Sequence, residues 1–177
     1  MQRNQNKPDK NSPAYLMSQI NGGRYSLLLI LIFTVVNLLM VLLDTDRYFL
    51  FSASVPYYLT LFGKAMDNGF IDGAWDVTGT YTITALVVSL VILALYFLCW
   101  LLSRKRTGWM TGALALFVLD TVALVLFSYV LYGSPMVNVM DILLHGWALW
   151  ELFQAVRCNK KLKEMPIPEE TNAGPEL

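Results

Sequence analysis

Residues 108–157 read GWMTGALALFVLDTVALVLFSYVLYGSPMVNVMDILLHGWALWELFQAVR, and the fold follows from this stretch. Two apolar runs, about residues 109–131 and 136–156, are joined by the turn formers Tyr132-Gly133-Ser134-Pro135. Each run is near the ~20 residues that cross a bilayer as a helix, and so short a link makes the two antiparallel neighbours. Nearly every ionisable residue that the chain places inside apolar sequence falls here: Asp120, Asp141, His145 and Glu151. A charge in hydrocarbon is costly, so such residues are where a membrane protein's function is first sought.

Working outward, 56% of the 177 residues are hydrophobic and 15% are charged, with Lys+Arg and Asp+Glu balanced at 13 each. Soluble domains carry about 25% charged residues. The deficit is concentrated in four long apolar runs, about 25–43, 81–102, 109–131 and 136–156. The expected fold is all-α: a polytopic transmembrane bundle of four helices spanning 25–156, with short interfacial helices. Neutral net charge and the lack of a basic stripe with interleaved aromatics give no reason to expect nucleic acid. Cys99 and Cys158 have no C-x-x-C spacing and read as inert structural thiols.

The segment 1–24 reads as a tail carrying a short surface helix. Residues 1–12 have almost no apolar content and are expected to be disordered. Ser12-Pro13 is an N-cap followed by Pro at the first helical position, and Asn21-Gly22-Gly23 is a C-terminal stop signal. The first span then begins at Tyr25, too far from a small-residue site to be a processed signal peptide. Asn37, inside it, is expected to hydrogen-bond between helices.

In the long connection that follows, Phe51, Val55, Tyr58, Leu59 and Phe62 recur as one helical stripe, and Ser54 with Pro56 can start a helix. So aromatic and sparsely charged a helix is expected to lie in the membrane interface. Asp67, Asp72 and Asp76 then fall among turn formers, but their spacing does not match a calcium loop, which leaves a solvated acidic loop. The tail 157–177 opens with Lys160, Lys161 and Lys163, then turns acidic, and is expected to be mostly disordered.

Charge sets the orientation. Arg3, Lys7, Lys10 and Arg24 precede the first span, Arg104, Lys105 and Arg106 follow the second, and Arg157 with three lysines follows the fourth. Only Arg47 and Lys64 lie on the other side, which places both termini in the cytoplasm by the positive-inside rule. The aromatics agree: Tyr25, Trp100 and Trp109 mark one interface, and Tyr48, Tyr81, Tyr129 and Tyr132 the other.

Taking the turn centre as Gly133, Asp120 and His145 lie at nearly equal depth in an antiparallel pair, and Asp141 shares a helix face with His145. Asp120, Thr121, Asp141 and His145 can therefore form one polar cluster. It is either a proton or cation relay, since His titrates near neutrality, or a packing bond between the two helices. Glu151 faces elsewhere, and snorkelling or a pairing with Arg157 accounts for it.

Enzymatic readings find little support. One histidine excludes H-E-x-x-H zinc chemistry, no metal or cofactor signature appears, and there is no phosphate loop or nucleophile elbow. Gly108 and Gly112 form a G-x-x-x-G that permits close helix approach, within the bundle or in a homo-oligomer. Trp147 and Trp150 are packing residues or, alternatively, a ligand cage.

Two segments, Ser12-Pro13-Ala14-Tyr15-Leu16 leading to Asn21-Gly22-Gly23-Arg24-Tyr25, and Phe51-Ser52-Ala53-Ser54-Val55-Pro56-Tyr57-Tyr58, carry a resemblance. They resemble a group of small four-span membrane proteins of Gram-positive anaerobic bacteria that has no assigned role. The resemblance implies a bacterial plasma membrane and supplies no catalytic residue. The expected role is that of a non-enzymatic accessory or interaction protein, its partners the lipid bilayer and either a second copy or another membrane protein. The alternative is a small oligomeric transporter or channel for protons or small cations, using Asp120, Asp141 and His145.

Overall fold

A computed structural model describes residues 9–45, 47–69, 79–104 and 108–165. Arg3, Lys7, Asp72, Asp76, Lys105, Arg106 and the acidic end of the chain lie outside the described residues. The described residues contain helices and no strand. In order they are α1 (Pro13–Leu42), α2 (Ser54–Asp67), α3 (Thr80–Leu102), α4 (Gly108–Tyr132), a 3-10 turn (Pro135–Asn138) and α5 (Val139–Glu164). Three of them, α1, α3 and α4, are long and apolar enough to cross a membrane.

Helix α1 opens as its cap predicts, with Pro13 in the first turn and the Ser12 hydroxyl accepting from the Tyr15 N–H at 3.3 Å. The stop expected at Asn21-Gly22-Gly23 does not occur, and α1 continues unbroken for 30 residues. A helical glycine costs about 1 kcal/mol relative to alanine, and here packing offsets it. A Cβ added to Gly23 would lie 2.5 Å from the Ala155 Cβ and 3.2 Å from the Glu151 carbonyl oxygen. Glycine thus lets α1 and α5 touch backbone to backbone. The two run antiparallel: Leu16 and Ile20 pack with Cys158, and farther along α1 the Ser26 hydroxyl donates to Glu151. The start of α1 and the end of α5 therefore lie together.

After α1 the chain turns back on itself. Asn37, completely buried, donates its amide to the Phe49 carbonyl and the Ser52 hydroxyl, both at 2.8 Å, and accepts from the Phe49 N–H at 2.7 Å. The Ala53 N–H donates to the Thr34 hydroxyl at 2.8 Å. The returning segment thereby descends along α1 to the level of Thr34, about 12 Å below the Leu42 end at 1.5 Å per residue. Asn37 was expected to bridge two helices; instead it satisfies backbone that has no strand partner. Phe51 adopts a left-handed φ of 69°, uncommon for a non-glycine residue, where the descent ends, and its ring packs on Trp147 at 5.3 Å between centroids.

Helix α2 starts at that depth and rises alongside α3 and α4. The Ser89 hydroxyl donates to the Pro56 carbonyl at 2.9 Å and pairs with the Thr60 hydroxyl at 3.1 Å. At Gly63 an added Cβ would stand 2.6 Å from the Tyr81 carbonyl oxygen, so a second glycine permits a close approach. On the other side Tyr58 and Phe62 pack against Phe127 with their rings tilted. The sequence places this helix in the membrane interface; within the bundle it is packed between α1, α3 and α4, burying Ser54, Pro56, Tyr58, Thr60 and Gly63. Large side chains set the stripe seen in the sequence, whereas hydrogen-bonded hydroxyls and a glycine set the closest contact.

The end of the bundle where α1, α2 and α4 finish and α3 and α5 begin is tied down. Asp67, the last residue of α2, accepts from the Tyr81 and Thr82 N–H groups at 3.2 and 2.7 Å, capping α3. The Lys64 ammonium reaches the Val41 carbonyl at 2.7 Å and the Asp44 carboxylate at 2.6 Å. Asn138 donates to the Ser128 and Tyr58 hydroxyls, fastening the hairpin turn to α2.

Candidate functional site

The start of α2 lies in the interior with its first N–H groups pointing at Asp120. The first N–H groups of a helix lack intrahelical partners and carry partial positive charge, so they need an acceptor where water is absent. No side chain of the N-cap residue, Ala53, can serve. Asp120, reaching across from the middle of α4, serves instead: Oδ2 accepts from the Ser54 N–H at 2.8 Å and Oδ1 from the Val55 N–H at 2.9 Å. One carboxyl group thus satisfies two of the first N–H groups of α2.

His145 completes the arrangement from α5. Its Nδ1 faces the Asp141 carbonyl oxygen at 2.9 Å and, a carbonyl being an acceptor only, carries the proton there. Nε2 then stands 3.3 Å from both Asp120 Oδ2 and the Ser54 hydroxyl. With Nε2 unprotonated, Ser54 donates to it; with Nε2 protonated, it donates to Asp120. The Phe117 ring lies nearly parallel to the imidazole, 4.9 Å away and 5° from coplanar, and fixes its plane. Asp120, Ser54 and His145 are each no more than 3% exposed, so the cluster is closed to solvent.

The structure thus brings Asp120 and His145 into contact and sets Asp141 beside them, its Oδ1 3.6 Å from Nδ1. That oxygen is buried without a hydrogen-bond partner. Thr121 does not join: its hydroxyl returns to the Phe117 carbonyl of its own helix. Glu151 takes Ser26 of α1 as its partner rather than Arg157, which lies on the exposed side of α5. Among the described residues Gly108 and Gly112 give no close approach, since an added Cβ meets nothing at the first and an ordinary 3.7 Å contact with the Cys99 sulfur at the second.

Ser54 is the cluster residue that sequence reasoning did not assign. Ser54 was legible as a helix start, but its partner is 66 positions away on another helix. Among the described residues no group of three or more His, Cys, Asp or Glu is arranged to hold a metal ion.

No family model, curated protein or solved structure matches the chain.

Proposed function

We propose that this chain is a non-enzymatic accessory or interaction protein of a bacterial plasma membrane, crossing it four times with both termini cytoplasmic. The fourth crossing is α5, which pairs along α1 from Cys158 against Leu16 to Glu151 against Ser26. Its ionisable residues Asp141, His145 and Glu151 all turn toward protein partners, which is how polar groups are carried through hydrocarbon. The bundle's outer surface supports a lipid surround: Ile83, Val87, Leu119, Leu126 and Leu143 are all more than half exposed. In this reading residues 47–67 form a re-entrant element. Backbone at membrane depth is tolerated only where protein satisfies it, and Asn37, Thr34 and Asp120 do so.

One observation carries the non-enzymatic reading. The buried carboxylate at the centre of the bundle is committed to the α2 backbone and His145, leaving its bonding capacity inside the fold. Topology is tested with a cysteine placed at Asn68: labelling by an impermeant reagent from outside the cell is expected, and labelling only from inside overturns the orientation.

A proton relay is the second reading, favoured by the unpartnered Asp141 Oδ1 beside His145. It requires flux in proteoliposomes that disappears in Asp120→Asn or His145→Gln. Loss of detergent stability in those variants, with no flux in the wild type, supports the packing role.

A further inference from the structure

The seam between the first half of α1 and α5 from Trp147 onward holds two adjoining cavities that share Tyr15, Gln19 and Gln154. The inner one, about 500 Å³, is bordered by Trp147, Trp150 and Glu151. The outer one, about 280 Å³, is bordered by Lys10, Arg157 and Lys161. Together they are within the size range of small-molecule sites, roughly 300–1,000 Å³. Gly22 keeps the inner wall open, because a Cβ added there meets nothing within 4 Å. Its neighbour Gly23 clamps the two helices beside it, so the opening has a rigid edge.

Charge divides along this seam. Lys10, Arg157 and Lys161 take part in no ion pair among the described residues. Arg157 and Lys161 border the outer cavity, which adjoins the inner one at Gln154. The inner cavity has the opposite character, a carboxylate whose protein hydrogen bond is to the neutral Ser26 hydroxyl, with two indoles at its rim that are 51% and 60% exposed. A carboxylate beside aromatic faces attracts an ammonium group, and guanidinium and ammonium side chains attract phosphate.

We propose that this seam binds a phosphoamine, a small zwitterion whose ammonium group sits at Glu151, Trp147 and Trp150 and whose phosphate sits at Lys10, Arg157 and Lys161. The same chemistry occurs in a free solute and in a phospholipid head group. The inference extends beyond the accessory role and depends on neither the crossing number nor the Asp120 cluster.

Phosphocholine titrated into the full chain in a neutral maltoside detergent, followed by calorimetry, tests it. Saturable binding is expected, with choline and inorganic phosphate each at least about tenfold weaker, a difference of ~1.4 kcal/mol. Trp150→Leu and Arg157→Gln, at exposed positions, should each weaken binding at least about tenfold while leaving the unfolding temperature unchanged. Gly22→Leu, filling the cavity, should abolish binding. Glu151→Gln should weaken it too, but that variant also disturbs the Ser26 bond, so the other three decide. Absence of saturable heat, equal binding of choline, or unchanged binding by Gly22→Leu overturns the proposal. Repeating the titration in nanodiscs identifies the source. Competition by phosphatidylethanolamine but not phosphatidylglycerol assigns the site to a lipid head group, and equal affinity in both assigns it to a free solute.

Discussion

Replacing Asp120 with alanine isolates the bond on which the bundle's interior depends. The variant leaves the Ser54 and Val55 N–H groups without their acceptor in a region closed to water, and leaves His145 Nε2 facing only the Ser54 hydroxyl. Each buried unsatisfied donor costs about 1–3 kcal/mol, so the two together cost about 2–6 kcal/mol. That is a large share of the ~5–15 kcal/mol by which folded proteins exceed their unfolded states. Asp120→Asn keeps one acceptor oxygen but turns an NH₂ group toward the second donor, and should lose roughly half as much. Thr121→Val, one residue along, removes only a hydroxyl bonded within its own helix and is the control. Unfolding in mixed micelles with increasing dodecyl sulfate, followed by helical circular dichroism, measures all three. An Asp120→Ala midpoint equal to that of the wild type, with Thr121→Val no different from either, would refute the assignment of Asp120 as the cap of α2.

Three further outcomes are expected. Gly23→Leu forces atoms into Ala155 and the Glu151 backbone and should lower stability by about 1–3 kcal/mol or more in thermal unfolding, whereas Gly22→Leu should be nearly neutral because its Cβ meets open space. Asn37→Ala removes three hydrogen bonds holding the returning segment, a loss of about 1.5–4.5 kcal/mol, and should make a cysteine at Ser52, buried in the wild type, reactive to maleimide. The Thr82 hydroxyl and the Tyr81 and Thr82 N–H groups hold the half-buried Asp67 carboxyl below its usual range. Its contribution is therefore present above the ordinary carboxylate pKa and is lost as pH falls through the depressed value. Amide exchange at Tyr81 and Thr82 should accelerate on acidification in the wild type, and Asp67→Asn should remove that pH dependence.

How far the sequence could be read depended on whether the deciding contact was local. Apolar length alone marks α1, α3 and α4, and the 3.6-residue period starts α2 at Ser54. The equal depth of Asp120 and His145 follows from rise per residue across one short turn, because the two helices are consecutive. Three features had no local signal. Gly22-Gly23 has the composition of a stop, and only the presence of Ala155 opposite makes it a contact surface. The stripe of α2 shows an amphipathic helix but not what covers it, which depends on Ser89 and Phe127. Asn37 reads as a helix bridge because nothing nearby announces that residues 47–53 double back along α1.

The distance in sequence between α2 and its cap bears on how the chain is made. A polypeptide emerging from its N-terminus exposes Ser54 long before Asp120, 66 residues later, has been synthesised. In the proposed membrane placement, until α4 is laid beside it the α2 start has no acceptor at depth and stays at the aqueous boundary, where water can bond to its N–H groups. The fold-back therefore waits for α4, although it belongs to the first half of the chain. In the proposed four-crossing reading, a nascent chain cut just before Asp120 would carry α1 and α3 across the bilayer with residues 47–67 still outside it, and completing α4 would draw that segment in.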